Sequence, residues 1–312
     1  IFQNFLKRKI KQNYLISLIK QMRPKLVITL TDNSEEFSII SKYFDKEVPF
    51  YAIQGANRGD IKLRRTEDLK IYNFDTFFCY SPHEKEFYTK KKIKIKNYIY
   101  TGPIRASLAL KYFKKERIVI KSKNDIFLPT ELSSNSPYNK FTNYSDSCKK
   151  LADFTVNFCK KNNLKLIFCA EAEKNTELFR KENEFYKNVL QRYDVKLTPK
   201  TSNYSAYQNM LESNLIVGLN TTLLREAIYL RRKVFACNLT LFDQADFPIR
   251  NIASPVIKNQ SQFNNHLSKL LEMENKTYFE IIKNEIFKIT QIDQDCSEII
   301  NSKVNNIILN KI

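Results

Sequence analysis

"LIVGLNTTLLREAIYLRRKVFAC", residues Leu215–Cys237, decides how this chain is read. A short apolar strand meets a small polar turn, a helix opens, and a second apolar stretch follows. Strand, helix and strand in this order form the unit of a parallel sheet with helices on its faces. The turn, Asn220-Thr221-Thr222, raises a question of its own. Either Asn220 or Thr221 only caps the helix, or the helix end holds an anion. A helix N-terminus exposes backbone N–H groups and about half a positive charge, which suits phosphate.

The surrounding residue types fit the second reading as well as the first. Gly218 lets the backbone come close to a ligand. Thr221 and Thr222 add hydroxyl donors. Arg225, one turn in, is suited to phosphate, and Glu226 to two hydrogen bonds from a ribose diol.

The same alternation runs outward in both directions. Upstream, a long helix (about 144–162) precedes the strand "LKLIFCA" (164–170). A helix over roughly 176–192, a short strand "VKLTP" (195–199) and a helix "SAYQNMLES" (205–213) follow. The first half repeats the plan. A helix ends at Pro24, and strands are expected at 26–33, 49–56, 74–81 and from 96. Helices are expected at 34–44, after Pro82 and after Pro103. From about 262 the pattern is helical to the end. The expected fold is α/β: two halves of similar plan, each a parallel sheet with helices on its faces, plus C-terminal helices. A polar, Lys-rich stretch at 114–125 places the boundary, giving 1–118, 119–261 and a helical segment 262–312. The chain opens on Ile1 rather than Met, which reads as a first domain lacking its start.

Bulk properties narrow the function classes. The 312 residues carry a formal net charge of +19, yet the lysines are scattered, apart from "KKKIKIK" at Lys90–Lys96. Abundant Lys, Ile, Asn, Tyr and Phe beside only 4 Gly look like an AT-rich coding bias. No nucleic-acid-binding motif accompanies the charge, so nucleic acid is not expected as partner. The Lys-rich surface suits a nucleotide, or peripheral contact with an anionic membrane face. Six cysteines without CxxC and only two histidines, His83 and His266, argue against a zinc site. No metal or cofactor is expected. Cysteines in apolar strands and the lack of a long apolar run suggest a cytoplasmic protein, working at the inner face of the membrane.

Ligands of open parallel sheets bind beyond the carboxyl ends of the strands. Those loops carry Asp32, then Gln54, Asn57 and Arg58, then His83, then Arg105, then Glu171 and Glu173. Asp32 is either a general base for a sugar hydroxyl or a solvated neighbour of a helix cap. His83 is either the base or a surface residue. Gln54, Asn57, Arg58 and Arg105 suit hydroxyls or phosphate on an acceptor; the bland reading of 53–60 is a glycine turn. Arg180 and Glu184 read as a solvated helix face, with Arg180 in reach of a phosphate. A P-loop, GxGxxG, GxSxG and HExxH are all lacking, against ATPases, nicotinamide enzymes, α/β-hydrolases and zinc proteases of the usual kinds.

Taken together, "ITLTDNSEEFSIISKYF", "FYAIQGANRGD", "YIYTGPIRASLAL" and the opening stretch resemble bacterial surface-carbohydrate biosynthesis proteins of the polysaccharide and O-antigen kind. These look like GT-B glycosyltransferases, similar in their second half to CDP-glycerol glycerophosphotransferases, which implies a GT-B-like fold of two Rossmann-like domains with parallel sheets facing a central cleft. The resemblance implies that the loop Asn220–Thr222 and the acid Glu226 hold the diphosphate and nucleoside of a nucleotide-sugar donor. It also implies a glycan or lipid-linked acceptor. Two rivals stand beside this expectation: a CDP-polyol phosphotransferase of the same fold, and a non-catalytic sugar-nucleotide-binding or scaffold protein. The chain departs from the family pattern at Arg231-Arg232-Lys233, where a small-residue turn is usual, and at Gly55, where Asn is usual.

Overall fold

Parallel pairing joins every neighbouring pair of strands, in two separate sheets. The computed structural model describes residues 2–45, 47–57, 73–90, 93–131, 143–240, 242–291 and 295–309. By density of contacts these fall into two units: residues up to Ile104 together with 295–309, and Arg105–Gln291.

In the first unit the strands are β1 (Val27–Thr29), β2 (Phe50–Ile53), β3 (Asn73–Cys79) and β4 (Lys94–Tyr100), in the order β1-β2-β3-β4. β2 is buried at all its residues. This is why "FYAI" reads as a continuous apolar run rather than an alternating one. Its helices are α1 (Phe2–Met22), α2 (Glu35–Tyr43) and α3 (Pro82–Lys90). Phe44, Phe50, Phe74, Phe77 and Tyr88 fill one face of the sheet. On the other, Tyr51, Ile53 and Phe78 meet Cys296 and Ile300 of α11 (Cys296–Leu309). The last helix of the chain thus completes the first unit.

The second unit begins in α4 (Ile104–Lys115). Its strands are β5 (Asn124–Pro129), β6 (Leu166–Glu173), β7 (Thr198–Lys200), β8 (Ser213–Gly218) and β9 (Lys233–Ala236). The helices are α5 (Tyr144–Lys161), α6 (Glu177–Tyr193), α7 (Ser205–Leu211), α8 (Thr222–Tyr229), α9 (Gln260–Glu272) and α10 (Asn275–Ile282). The sheet order is β7-β6-β5-β8-β9. The chain therefore builds outward from β5 on one side, then crosses back to build outward on the other. This is the doubly wound arrangement, and its topological switch point lies between the carboxyl ends of β5 and β8.

Local chemistry sets the helix starts. Ser34 Oγ accepts from Phe37 N at 3.2 Å, Thr176 Oγ1 from Phe179 N at 3.2 Å, and Asn259 Oδ1 from Gln262 N at 3.0 Å. Each such cap contributes about 1 kcal/mol. The short strand expected at 195–199 forms at Thr198–Lys200, and the first helix spans Phe2–Met22 before Pro24. The Arg231-Arg232-Lys233 turn has a consequence in the backbone: Arg231 adopts φ 57°, the left-handed region that glycine occupies most readily. Lys233 is buried, and its Nζ donates to the carbonyls of Leu270 (2.6 Å) and Met273, where α9 ends. A cation at a helix C-terminus is favourable to the macrodipole.

Candidate functional site

The strand-loop-helix of residues 213–229 stands at the switch point of the second sheet. Thr221 is the N-cap of α8, its Oγ1 accepting from Leu223 N at 3.3 Å. The capping reading of Thr221 is therefore realised. Thr222 opens the helix, half-buried, and Asn220 is half-buried beside it. The two preceding amides of the loop do not stand open to a ligand: Leu219 N donates to Glu131 Oε1 at 2.6 Å and Asn220 N to Glu131 Oε2 at 3.1 Å. In this structure those two amides are taken by the chain's own Glu131 carboxylate. Gly218 serves the same contact. A Cβ on it would lie 3.3 Å from Glu131 Oε1, 3.2 Å from Thr221 Cγ2 and 3.3 Å from Leu224 Cδ1.

Glu131 lies just beyond β5 and is held on several sides. Tyr144 donates its hydroxyl to Glu131 Oε2 at 2.8 Å. The Tyr186 hydroxyl lies 3.0 Å from the Glu131 N–H and 3.3 Å from its carbonyl, so it can serve both main-chain groups. Burial, with Glu131 close by, pushes the Tyr144 phenol well above its usual range, so it stays a donor.

On α8 itself, Arg225 and Glu226 are both buried, at 3% and 2% exposure. Tyr207 of α7 donates its hydroxyl to Glu226 Oε1 at 3.1 Å. Burial pushes the Glu226 carboxyl up to about 7, while the Tyr207 hydrogen bond and the positive charge of Arg105 pull the other way. Arg105, expected with the acceptor groups, is exposed at the start of α4 and acts electrostatically on Glu226, within the second unit.

Glu182 is a second carboxylate at these strand ends. It is fully buried on α6, on one stripe with Tyr186 and Val189. It accepts from Glu171 N at 2.9 Å and Ala172 N at 3.2 Å, and from the Thr130 hydroxyl. Glu171, Glu173, Arg180 and Glu184 are exposed, and Arg180 pairs with Glu177. Arg180 and Glu184 lie on the solvated helix face read from sequence, whereas Glu171 and Glu173 are the exposed end of β6.

In the first unit Asp32 and Gln54 join a buried hydrogen-bond network at the ends of β1, β2 and β3. Asp32 is 1% exposed, and its Oδ1 accepts from Gly55 N at 3.1 Å. The reading of Asp32 as a solvated neighbour of a cap is corrected: Ser34 caps α2 while Asp32 turns inward to bind the next loop. Gln54 Oε1 accepts from Tyr80 N at 2.8 Å, and its Nε2 donates to Ala56 O at 3.1 Å. Glu84 accepts from both Ser81 N (2.9 Å) and Ser81 Oγ (2.6 Å). Asn57 is buried, His83 is half-buried near the start of α3, and Arg58 lies outside the described residues. Gly55 has a steric reason, since a Cβ there would stand 2.8 Å from the Leu30 carbonyl oxygen.

Comparison with known proteins gives these features a family. A family model described as "putative O-antigen biosynthesis protein" matches residues 112–307, more than half of the chain. The chain belongs to this family. The O-antigen biosynthesis assignment agrees with the resemblance seen in the sequence. No curated protein sequence matches the chain.

Solved structures similar to this member of the family are GT-B proteins. MnaA from S. aureus, solved with UDP, has a TM-score of 0.60 at 14% identity, over 98% of this chain and 81% of its own. UDP-GlcNAc 2-epimerase from Neisseria meningitidis, solved with UDP-GlcNAc, has a TM-score of 0.56 at 16% identity, over 95% and 80%. A glycosyltransferase from Rickettsia africae has a TM-score of 0.50 at 11% identity, over 96% and 80%. At these identities the likeness establishes the GT-B fold.

Sequence reasoning missed Glu131 and the tyrosines that hold it, Tyr144 and Tyr186, as well as Glu182, Tyr207 and Glu84. For Glu182 a signal existed, because it shares the buried i, i+4, i+7 stripe of α6 with Tyr186 and Val189. Glu131 offered a weaker one, an acid directly after the strand that begins the doubly wound sheet.

Proposed function

We propose that this chain is a GT-B glycosyltransferase. It moves a sugar from a nucleotide-sugar donor to a surface-polysaccharide or lipid-linked glycan acceptor. The observation that carries the reading is the placement of Thr221, Thr222 and Glu226 on one strand-loop-helix at the switch point, in a member of an O-antigen biosynthesis family. Open α/β sheets bind their ligands at that point. Similar folds solved with UDP and UDP-GlcNAc support a donor of this class.

In this reading the second unit holds the donor. The Thr221 and Thr222 hydroxyls and the positive end of α8 take the leaving diphosphate, with Arg225 and Arg105 adding positive charge. Glu226 takes the ribose hydroxyls. The leaving group is stabilised without a metal. The first unit supplies the acceptor side. His83 is the base that removes the acceptor hydroxyl proton, and Asn57 and Arg58 position the acceptor. Asp32 and Gln54, both buried and both hydrogen-bonded to backbone, shape the loop that carries these groups. Lysine-rich surface favours an anionic membrane face where lipid-linked acceptors reside; among the described residues no helix is long and apolar enough to cross a membrane.

The test follows the leaving group. Transfer of a sugar from a nucleoside diphosphate sugar releases the nucleoside diphosphate. Transfer of a phospho-polyol from a CDP donor releases CMP. The purified chain is incubated with a panel of nucleotide sugars and CDP-polyols and a lipid-linked glycan fraction, and released nucleotides are resolved by chromatography. Acceptor-dependent release of a nucleoside diphosphate is expected. CMP release establishes the phosphotransferase instead, and tight nucleotide binding without release establishes a non-catalytic binding protein.

A further inference from the structure

The switch point of the second sheet already contains an anion, and it belongs to the chain. Both carboxylate oxygens of Glu131 receive consecutive backbone N–H groups, Leu219 at 2.6 Å and Asn220 at 3.1 Å. The Tyr144 hydroxyl is a third donor at 2.8 Å. A phosphate oxygen at this spot uses donors of this kind. A carboxylate and a phosphate do not share them. Two like charges held at contact distance in a half-buried site repel each other.

The way Glu131 is held separates its main chain from its side chain. Tyr186 lies within hydrogen-bonding distance of the N–H and the carbonyl of Glu131, which fixes the backbone. The residue as a whole is only half-buried. Glycine at 218 leaves the space into which the carboxylate fits.

Resting on the donor reading above, we infer that Glu131 is a displaceable internal anion. It holds the Leu219–Asn220 amides in a phosphate-ready geometry, and it swings out when the donor's diphosphate takes them. Glu131 is thereby a specificity-determining residue. A neutral sugar has no charge with which to replace a carboxylate on two amides and a phenol, whereas a diphosphate does. The cost of expelling Glu131 filters ligands by charge.

The experiment uses the full chain and two probes, inorganic pyrophosphate and UDP, titrated by calorimetry into wild type and Glu131→Gln. The glutamine keeps the shape and one acceptor oxygen and removes the charge. Tenfold or greater tightening of both probes in Glu131→Gln is the expected result. Equal or weaker binding in the variant overturns the inference while leaving the donor reading in place. No binding to either form overturns both. A wild-type crystal soaked with UDP keeps the inference testable should the variant fail to fold. A phosphate oxygen on the Leu219 and Asn220 amides with Glu131 rotated away supports it. UDP bound with Glu131 still on those amides refutes it.

Discussion

The Tyr207 hydroxyl donates to Glu226 Oε1 at 3.1 Å, and the two side chains are buried together between α7 and α8. Burial of the carboxyl dominates its titration and lifts it from 4.5 to about 7. Because the folded pKa is raised, the folded chain binds more protons than the unfolded chain between about pH 4.5 and 7. Stability is therefore fullest below that window and falls as pH rises through it, by something on the order of 3 kcal/mol. Glu226→Gln, uncharged at every pH, flattens this part of the profile. Urea unfolding at a series of pH values from 4 to 8 checks it. A wild-type profile matching that of the variant across the window excludes the buried, raised carboxyl.

Glu182 is predicted to be structural. Its carboxylate takes two main-chain N–H groups of the Glu171–Ala172 segment and the Thr130 hydroxyl. Glu182→Ala strands these donors in a dry environment, at about 1–3 kcal/mol for each one left unpaired. A loss of roughly 3 kcal/mol or more is expected in chemical denaturation. A loss below 1 kcal/mol means that water or a neighbour satisfies the donors.

Arg231 holds a left-handed φ of 57° directly after α8. Glycine reaches that conformation without steric cost, so Arg231→Gly is expected to be neutral or stabilising by up to about 1 kcal/mol. The gain is reduced by losing the stacking of Arg231 over Phe279, 5.7 Å from ring centre to guanidinium. Thermal melting of the two proteins measures the balance. Gly55→Ala runs the opposite way, because the new methyl meets the Leu30 carbonyl oxygen at 2.8 Å. A loss of about 1–3 kcal/mol is expected from that overpacking.

Much of the architecture was legible from the residues. Apolar runs such as "FYAI" and "LIVG" are the mark of strands buried on both faces, and Ser34 and Thr221 mark the helix starts they cap. The site was less legible, for a physical reason. Glu131 and Leu219 are 88 residues apart, and only the winding of β5 beside β8 brings them into contact. Asp32 could be read as a general base or as a solvated neighbour of a cap because its neighbours in sequence are polar, yet its partner is the Gly55 amide on the next strand's loop. Side-chain hydrogen bonds that reach backbone across a sheet leave no periodic trace in sequence.

The central claim is that the loop and helix at residues 218–226 bind the donor nucleotide. It is tested most directly by calorimetric titration of a panel of UDP, CDP, GDP and dTDP into wild type and into Thr221→Val/Glu226→Gln, with circular dichroism confirming that the variant is folded. Binding of at least one nucleotide to wild type and a loss of tenfold or more in the folded variant is the predicted result. Undiminished affinity in the variant contradicts the account.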